Sequence, residues 1–369
     1  MFFVIGLSAG GWAPLVPFAK ERLALSDAAL GLTLLCAGIG SIVAMPLAGA
    51  LAARFGCRVV IVAAGIAIAL VFPLLMLAPL APALGAALFL FGASLGSIDC
   101  VINIQAIAVE RRAARPLMSG FHALYSLAGI VGAGLVSGMI ALGATPLAAA
   151  GTIAAAMLAA TLVARPGLVA ERADEPGPAF ALPHGGVILI GLFCFVLFLA
   201  EGSALDWSAV LLRTARHADA AQAGLAYAAF SATMTGGRFF GDRLVARAGL
   251  ARTVGLGALT AAAGMAAAAL APSWLLSSAG YALVGAGCAN VVPALFTLTG
   301  RQTAMPEASA VAAVSVLGYA GVLAGPAAIG FVASLTSLPT ALIAVAALLL
   351  AVAAGAARLR ASAVGSMDP

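Results

Sequence analysis

The segment Leu51-Ala52-Ala53-Arg54-Phe55-Gly56 recurs in the second half of the chain as Leu244-Val245-Ala246-Arg247-Ala248-Gly249. Each copy follows an apolar run and ends on glycine. The separation between the two copies also relates Gly132 to Gly325, which lie in two further apolar runs. These matches at one separation predict two internal repeats. Parallel repeats with a binding site between them are an architecture of secondary transporters.

The composition of the chain indicates that lipid is its solvent. Of the 369 residues, 64% are hydrophobic and only 8% are charged, whereas about 25% of the residues of soluble domains are charged. The net charge is +5, but the basic residues stand at the ends of apolar runs and do not form a face for nucleic acid. A helix crossing a ~30 Å bilayer core needs ~20 residues, so the length suits twelve short spans.

We therefore predict an all-α polytopic membrane protein with twelve transmembrane helices. The predicted spans are 1–19, 29–53, 59–79, 83–109, 116–141, 144–164, 185–210, 220–245, 252–271, 273–299, 307–334 and 338–357. Residues 166–184 are rich in proline and charge, as is typical of a flexible linker. This cytoplasmic linker is predicted to join an N-terminal six-helix half, residues 1–165, to a C-terminal half, residues 185–369.

The positive charges predict the orientation of the chain. With both termini in the cytoplasm, fourteen of the 18 Lys and Arg residues lie on the inner side, as the positive-inside rule requires. The outer residues are Lys20, Arg22, Arg213 and Arg216. The inner residues are Arg54, Arg58, Arg111, Arg112, Arg115, Arg165, Arg172, Arg238, Arg243, Arg247, Arg252, Arg301, Arg358 and Arg360. We predict a multi-pass protein of a bacterial inner membrane with both termini cytoplasmic.

The stretch from Gly49 to Arg58 resembles the loop 2–3 signature of the major facilitator superfamily, usually written G-x-L-a-D-r-x-G-r-r/k. It departs at Ala53, where that family usually has aspartate, while the second half carries Asp242 near the equivalent place. Residues 12–22 and 201–208 resemble the subgroup named for the rhizopine-associated membrane protein MosC, distantly akin to fucose permease-type sugar transporters. The resemblance covers the whole chain. It implies two pseudo-symmetric six-helix halves and transport by alternating access.

Residues at these loops are candidates for a cytoplasmic gate. An arginine there can bind a helix C-terminus or an acid of the other half and hold one access state shut; the alternative is that these arginines only fix the topology. Arg238, one turn before Asp242, is interpreted as a partner in a local ion pair. The gate candidates are Gly49, Arg54, Gly56, Arg58, Asp242, Arg243 and Arg247.

Two acids inside predicted spans are candidates for proton coupling. A charge at the centre of a bilayer costs roughly 2.5–3.5 kcal/mol on insertion scales. The presence of Asp99 in the fourth span and Glu201 in the seventh therefore indicates a specific role for these acids. Asn103 lies four residues after Asp99, on the same helix face, and is a candidate for hydrogen bonding to substrate. The alternative for each residue is a structural hydrogen bond between helices.

Four further residues complete the predicted substrate cavity: Trp12, His122, Tyr125 and Asn290. Trp12 is interpreted either as a ring that stacks on a sugar-like substrate or as an anchor at the membrane interface. Gly129 and Gly132, on the face of His122 and Tyr125, predict close helix contact. In the resembled family spans 1, 4, 7 and 10 line the cavity, and the polar residues of the fourth, seventh and tenth spans fit that implication.

We expect a proton-coupled permease for a small polar solute, with a sugar or inositol derivative as the first choice. The alternative is an exporter of amphipathic or toxic compounds, which favours an aromatic cavity; only 7% of the residues are aromatic. The five cysteines and three histidines are scattered and no nucleophile–base set is visible. The sequence therefore predicts no enzyme, no metal site and no cofactor. The expected partners are a small-molecule substrate, the proton and the lipid bilayer, with no nucleic acid, and we expect a monomer.

Overall fold

The computed structural model describes residues 1–170, 182–219, 222 and 224–359, apart from the side chains of Asp27 and Ala28. The N-terminal helices are α1 (Phe2–Trp12), α2 (Val16–Arg22), α3 (Asp27–Phe55), α4 (Cys57–Val71), α5 (Leu74–Leu77), α6 (Ala81–Ala113), α7 (Met118–Ala141) and α8 (Pro146–Ala164). The C-terminal helices are α9 (Gly186–Ala215), α10 (Leu225–Ala248), α11 (Leu250–Leu270), α12 (Trp274–Cys288), α13 (Val291–Thr299), α14 (Glu307–Leu335) and α15 (Leu338–Gly355). Most of the predicted linker, residues 171–181, lies outside the described residues.

Eleven segments of the described chain are long and apolar enough to cross a membrane. In three of them two helices follow each other within one span: α1 and α2, which are joined by a 3-10 turn at Ala13–Leu15, then α4 and α5, and α12 and α13. Helix α10 is the remaining span. It is less apolar because it carries Arg238, Asp242, Arg243 and Arg247. With α10 in its place between α9 and α11, the fold is the predicted all-α fold of twelve transmembrane helices.

Side-chain caps fix where several spans begin. A hydroxyl oxygen before the first helical turn accepts a backbone N–H that the helix leaves without an intrahelical partner. Such caps start α3, α8, α12 and α15. The capping residues are Ser26, Thr145, Ser273 and Ser337, at 3.1–3.4 Å from the backbone nitrogens of Ala29, Ala148, Leu276 and Thr340.

Two spans extend further on their outer side than predicted. Helix α2 reaches Arg22, and α9 runs to Ala215, which places Arg213 inside a helix. An arginine at each extended end finds carbonyl acceptors: Arg22 donates to the carbonyl oxygen of Ala78 after α5, and Arg216 donates to that of Ala269 in the last turn of α11. Cations are favoured at helix C-termini because the terminal carbonyls carry partial negative charge. The outer arginines therefore stabilise helix ends.

The glycines of the repeated segment have the same conformation. Gly56 has φ 88° and ψ 150°, and Gly249 has φ 79° and ψ 159°. Each ends one helix and directly precedes the next. A positive φ is accessible to glycine at little cost, so this residue lets spans 2 and 3, and spans 8 and 9, follow each other across a single residue.

The repeat extends to the crossings between helices. A Cβ atom on Gly92 would lie 1.8 Å from the carbonyl oxygen of Ala37, and a Cβ atom on Gly285 would lie 2.1 Å from that of Phe230. Gly92 and Gly285 have the sequence separation of Ala37 and Phe230, which is also that of the repeated segments. Small residues allow membrane helices to approach this closely. The crossing of α3 with α6 is thus built again by α10 and α12.

The chain forms two compact units. Unit 1 consists of Met1–Arg112, Leu124–Leu182 and Pro306–Ala312, and unit 2 of Ala113–Ala123, Pro183–Met305 and Ala313–Pro369. Unit 1 therefore contains the first residues of α14, and unit 2 contains the first residues of α7. The predicted domain boundaries at residues 1–165 and 185–369 stay a prediction.

Candidate functional site

The helix of the tenth span, which belongs to unit 2, is interrupted partway along its length. Helix α12 ends at Cys288 and α13 begins at Val291, because Asn290 leaves helical geometry with φ −117° and ψ 2°. The break is buried: Asn290 is 6% exposed and every residue of α13 is buried. A break inside a helix leaves backbone carbonyls and N–H groups without intrahelical partners. Other side chains must therefore satisfy them.

Helix α10 supplies those partners. Arg238, which is 6% exposed, donates from Nε to the carbonyl oxygen of Ala289 at 3.3 Å. In return Asn290 donates from Nδ2 to the carbonyl oxygen of Gly237 at 3.1 Å. A Cβ atom on Gly237 would lie 2.8 Å from the Ala289 Cβ, and one on Gly241 would lie 1.8 Å from the Asn290 Oδ1. The two glycines, one turn apart, give the break room to approach α10.

Two more predicted site residues interact electrostatically with Arg238. Glu201 of α9 is half-buried, and its buried Oε1 accepts no hydrogen bond within the part of the chain that the structure describes. His122 of α7 is buried, with Nδ1 3.0 Å from the Met118 carbonyl oxygen. Its ring stacks on Phe296 of α13 with centroids 6.1 Å apart. Glu201 and His122 thus each interact electrostatically with Arg238, and Asn290 lies directly after Ala289, whose carbonyl oxygen accepts from Arg238.

Chemically, this arrangement combines an acid, Glu201, with a buried cation, Arg238. The positive charge of Arg238 balances an ionised Glu201, which lowers the cost of a carboxylate among apolar helices. Because no described residue donates to Oε1 of Glu201, the acid can take up a proton there or accept a hydrogen bond from a hydroxyl group. The cluster can therefore exchange a proton and bind a polar solute.

The other polar candidates lie in unit 1. Asn103, which is 1% exposed, donates from Nδ2 to the backbone oxygen of Asp99 in its own helix at 2.8 Å. Its Oδ1 is buried and accepts no hydrogen bond from the described residues. The Asp99 side chain is half-buried. Both residues lie well inside α6, away from either end of the helix.

Trp12 and Tyr125 belong to the crossing of α1 with α7. Trp12 is buried at the end of α1, and Tyr125 is half-buried. A Cβ atom on Gly6 would lie 2.1 Å from the Tyr125 carbonyl oxygen, and one on Gly132 would lie 2.6 Å from the Leu7 carbonyl oxygen. The predicted close contact around the span 5 glycines is therefore confirmed.

Among the gate candidates, Asp242 makes the most directed contact. Its Oδ1 accepts the backbone N–H of Ser119 at 2.9 Å, and its Oδ2 accepts that of Gly120 at 3.0 Å. These N–H groups belong to the first turn of α7 and have no intrahelical acceptor. The carboxylate accepts their hydrogen bonds and also interacts favourably with the positive end of the helix dipole. A side chain at Gly120 would meet Oδ2 at 2.8 Å. We name this contact the Asp242 latch.

The predicted gate arginines lie elsewhere. Arg54 is exposed, 5.2 Å from the Phe55 ring, and Arg58 donates from Nε to the carbonyl oxygen of Leu168 at 2.9 Å. Arg243 and Arg247 are exposed on α10. Asp242 thus binds a helix N-terminus, and Arg58 binds carbonyls at the C-terminal end of the 3-10 turn Arg165–Gly167 that follows α8. A gating role for either residue stays a prediction. Gly49 packs on the first residues of α14, where a Cβ atom would lie 3.1 Å from the Ala308 carbonyl oxygen.

The central role of Arg238 was not predicted from the sequence. It was interpreted as the partner of Asp242 in a local ion pair, which stays a prediction; its Nε donates in addition to the carbonyl freed at the break in span 10. The signal was its rarity, because arginine within a membrane helix is costly wherever it lacks partners. The ion pair of Arg111 with Glu307, within unit 1, was not predicted either, since no pattern relates the end of span 4 to the start of span 11.

Comparison with known proteins places the chain among transporters. It is 51% identical over 357 residues to an MFS-type transporter of Yersinia pestis, covering 96% of this chain and 93% of that protein. It is 30% identical to the membrane protein MosC of Rhizobium meliloti, over 93% of this chain and 84% of that protein. No family model matches the chain.

The fold comparison agrees with these relatives. The transporter FucP in its outward conformation superposes with a TM-score of 0.79 at 16% identity, covering 97% of this chain and 96% of that one. The proton:xylose symporter XylE gives a TM-score of 0.73 at 14% identity, over 97% and 93% of the two chains. At these identities the similarity concerns the fold alone.

Proposed function

We propose that this chain, which belongs to the major facilitator superfamily of membrane transporters, moves a small polar solute by alternating access and couples that movement to protons. Its relatives are transporters and not enzymes. The proposed location is a bacterial inner membrane with both termini cytoplasmic, which the asymmetry of the arginines supports. The proposed unit of function is the monomer.

The observation that carries the proton coupling is the pair of Glu201 and Arg238. Glu201 has a buried Oε1 without a hydrogen-bond donor in the described chain and interacts electrostatically with the buried guanidinium of Arg238, so protonation of this acid changes the charge that Arg238 experiences. Ionisable groups inside membrane spans mark ion and substrate pathways. Asp99 of α6 is the second candidate acid, on the N-terminal side of the repeat.

The solute class follows from the polar atoms that remain available. Asn103 Oδ1, Gln105 Oε1 and Glu201 Oε1 are buried acceptors, each without a donor in the described residues. A solute rich in hydroxyl groups supplies donors to such acceptors, and leaving them unpaired is costly. A sugar or an inositol derivative fits this requirement, and one protein of similar fold, XylE, is a proton:xylose symporter.

The test is solute uptake by purified protein in proteoliposomes under an imposed pH gradient. A panel of labelled pentoses, hexoses and inositols identifies a solute whose uptake rises when the outside is acidic. We expect Glu201→Gln to abolish the dependence on the gradient while solute exchange continues, and Asp99→Asn to lower uptake. Gradient-driven uptake that survives both substitutions would overturn the coupling. Failure of every polar solute, with sensitivity of a deletion strain to toxic compounds, would favour an exporter.

A further inference from the structure

We propose that the ends of α10 and α11 that meet at Gly249 form a binding site for the phosphate group of an anionic phospholipid. Three arginines hold the phosphate: Arg243, Arg247 and Arg252. The site goes beyond the proposed function, because it lies on the protein surface and depends on neither the solute nor the coupled proton. All of its residues belong to unit 2.

The three arginines are exposed and close together in the chain. Arg243 and Arg247 lie one turn apart in the last two turns of α10, so they project from one face of the helix. Gly249 alone separates α10 from α11, and Arg252 is the third residue of the new helix. A segment of five residues spans at most ~18 Å, so the backbone of Arg252 lies within that distance of Arg247.

Within the part of the chain that the structure describes, none of these three guanidinium groups has a hydrogen bond or an ion pair. The acid of this stretch, Asp242, binds the start of α7 instead. Like charges four residues apart on a helix repel each other, so an anion beside Arg243 and Arg247 is favourable. The planar fork of donors on arginine matches the geometry of a phosphate group.

The side chains beside the arginines favour a lipid over a free anion. On α10, Phe240, Leu244 and Arg247 lie on one helix face, and the first two are 65% and 48% exposed. On α11, Leu256 is 60% exposed and follows Arg252 by one turn. Each face thus carries a cation at its end and exposed apolar side chains further into the span. A phospholipid matches both parts, with its phosphate at the arginines and its acyl chains along the apolar side chains.

The first repeat provides a comparison within the same chain. At the repeat separation, Leu47 and Leu51 take the places of the two exposed apolar residues of α10, and both are exposed as well. Arg54 takes the place of the second arginine, with its guanidinium 5.2 Å from the centre of a phenylalanine ring. Ala50 and Val59 stand at the places of the other two arginines. The repeats therefore share the apolar face and differ in the cations at its end.

The experiment measures lipid bound to the full chain in detergent. Native mass spectrometry gives the Kd of the first bound phosphatidylglycerol, and phosphatidylcholine, which has a phosphate but no net charge, is the matched lipid. We expect phosphatidylglycerol to bind about tenfold more tightly. Each arginine near an anionic headgroup contributes roughly fivefold in affinity. The triple variant Arg243→Gln, Arg247→Gln, Arg252→Gln should therefore raise the Kd for phosphatidylglycerol more than about tenfold, whereas Arg54→Gln should change it less than about twofold.

Two further measurements identify the occupant. Phosphatidylglycerol should raise the unfolding temperature by mass action, and inorganic phosphate at the same concentration should not; equal stabilisation by both would make this a site for a free anion. The acids of the predicted linker, which lie outside the described residues, are the competing occupant. Glu171→Gln with Asp174→Asn and Glu175→Gln should leave the Kd unchanged. A Kd that falls about tenfold in that variant would assign the arginines to the linker instead.

The proposal is overturned if the two lipids bind alike, or if the triple variant keeps the Kd of the unsubstituted chain. The arginines would then only fix the orientation of the chain in the membrane. The unfolding temperature without lipid shows whether the triple variant folds. If it does not, Arg247→Gln alone decides, with an expected rise in Kd of roughly fivefold. Uptake is not measured, so failure of this site and failure of the proposed function are separate results.

Discussion

Spans 4 and 10 occupy equivalent places in the repeat, yet only span 10 is broken. Helix α6 runs for 33 residues without interruption, whereas its counterpart ends as α12 and restarts as α13. The closest backbone crossing is the same in both, through Gly92 and Gly285. The break therefore does not arise from the crossing. It arises from Pro293, which has no N–H for the Ala289 carbonyl and whose ring crowds that carbonyl; the equivalent residue of span 4 is Cys100. The side chains around the break stabilise it.

Those side chains differ at each equivalent position. At the repeat separation, Asn290 corresponds to Ser97, Arg238 to Met45, and Gly241 to Ala48. A methionine offers no donor to a freed carbonyl, and a serine in a helix tends to satisfy its hydroxyl within its own turn. The N-terminal half thus lacks what would stabilise a break. The difference teaches how this fold builds an unbroken span and a broken span on one crossing: Pro293 frees a carbonyl in span 10, and Arg238, Asn290 and Gly241 accommodate the break.

The contacts at the starts of spans 5 and 11 show the same asymmetry. In unit 2 the carboxylate of Asp242 accepts two backbone N–H groups of α7. In unit 1 the equivalent residue is Gly49, which packs on Ala308 and Ala312 of α14. One contact depends on charge and direction, and the other depends on shape. A contact that depends on charge responds to protons and salt; a steric contact does not.

The largest change in stability and uptake is expected when one residue of the broken span's crossing is replaced by its equivalent from the unbroken span. Gly241→Ala places a methyl group 1.8 Å from Asn290 Oδ1, and overpacking of this kind costs about 1–3 kcal/mol. We expect a lower unfolding temperature in detergent and loss of most uptake. Adding Asn290→Ser, which completes the pair found at Ala48 and Ser97, should recover part of the stability but not pH-dependent uptake; the contact of the new methyl group with the Ser119 Cβ, at 2.5 Å, remains.

The control for this prediction is Gly49→Ala in unit 1. A Cβ atom there would lie 3.1 Å from the Ala308 carbonyl oxygen and 3.2 Å from the Ala312 Cβ, which a small shift accommodates. Its unfolding temperature should change less than that of Gly241→Ala. If the two alanine variants are equally destabilised, or if Asn290→Ser rescues nothing, the break is not held by the clamp around Gly241.

An intermediate effect is expected from Asp242→Asn. The substitution keeps the shape but removes the charge at the start of α7, worth up to ~2 kcal/mol in a partly buried geometry. It also leaves one of the two backbone N–H groups facing an amide N–H₂. Met118, the first residue of α7, is 2% exposed, so a Met118→Cys variant reports opening of this helix start. At one fixed pH, and after subtraction of the rate for the chain with native Met118, Asp242→Asn should raise its rate of reaction with N-ethylmaleimide. Glu21→Gln, which changes an exposed acid outside the latch, should leave the labelling rate unaltered.

The sequence predicted the fold well because its signals were local and repeated. Span length, the arginine asymmetry and the glycine-ended segments each follow from short-range rules. Glu201, His122 and Asn290 were singled out because polar residues inside spans are rare, and their functional roles stay predictions. The contact of Arg238 with the Ala289 carbonyl was not predicted, although the sequence carries its signal. Pro293 lies four residues after Ala289, and a proline leaves the carbonyl of residue i−4 without its helical donor. The Asp242 latch likewise joins residues far apart in sequence.

The smallest effect is expected at the ion pair of Arg111 with Glu307, beside the steric contact of unit 1. The two side chains are 63% and 27% exposed, so solvent and salt screen the pair, which should contribute about 0–1 kcal/mol. Arg111→Gln removes only that contribution. Glu307→Gln also removes an acid from the first turn of α14, where it is favoured by the helix dipole.

The unfolding temperature should therefore fall slightly more for Glu307→Gln than for Arg111→Gln, and both decreases should shrink at high salt, because salt screens the ion pair and the interaction with the helix dipole alike. Glu307 directly precedes Ala308, so this pair is a charged neighbour of the steric contact at Gly49. If either variant accelerates opening at the start of α14 as strongly as Asp242→Asn does at the start of α7, then both contacts are electrostatic. The division into a charge-dependent and a shape-dependent side would then be wrong.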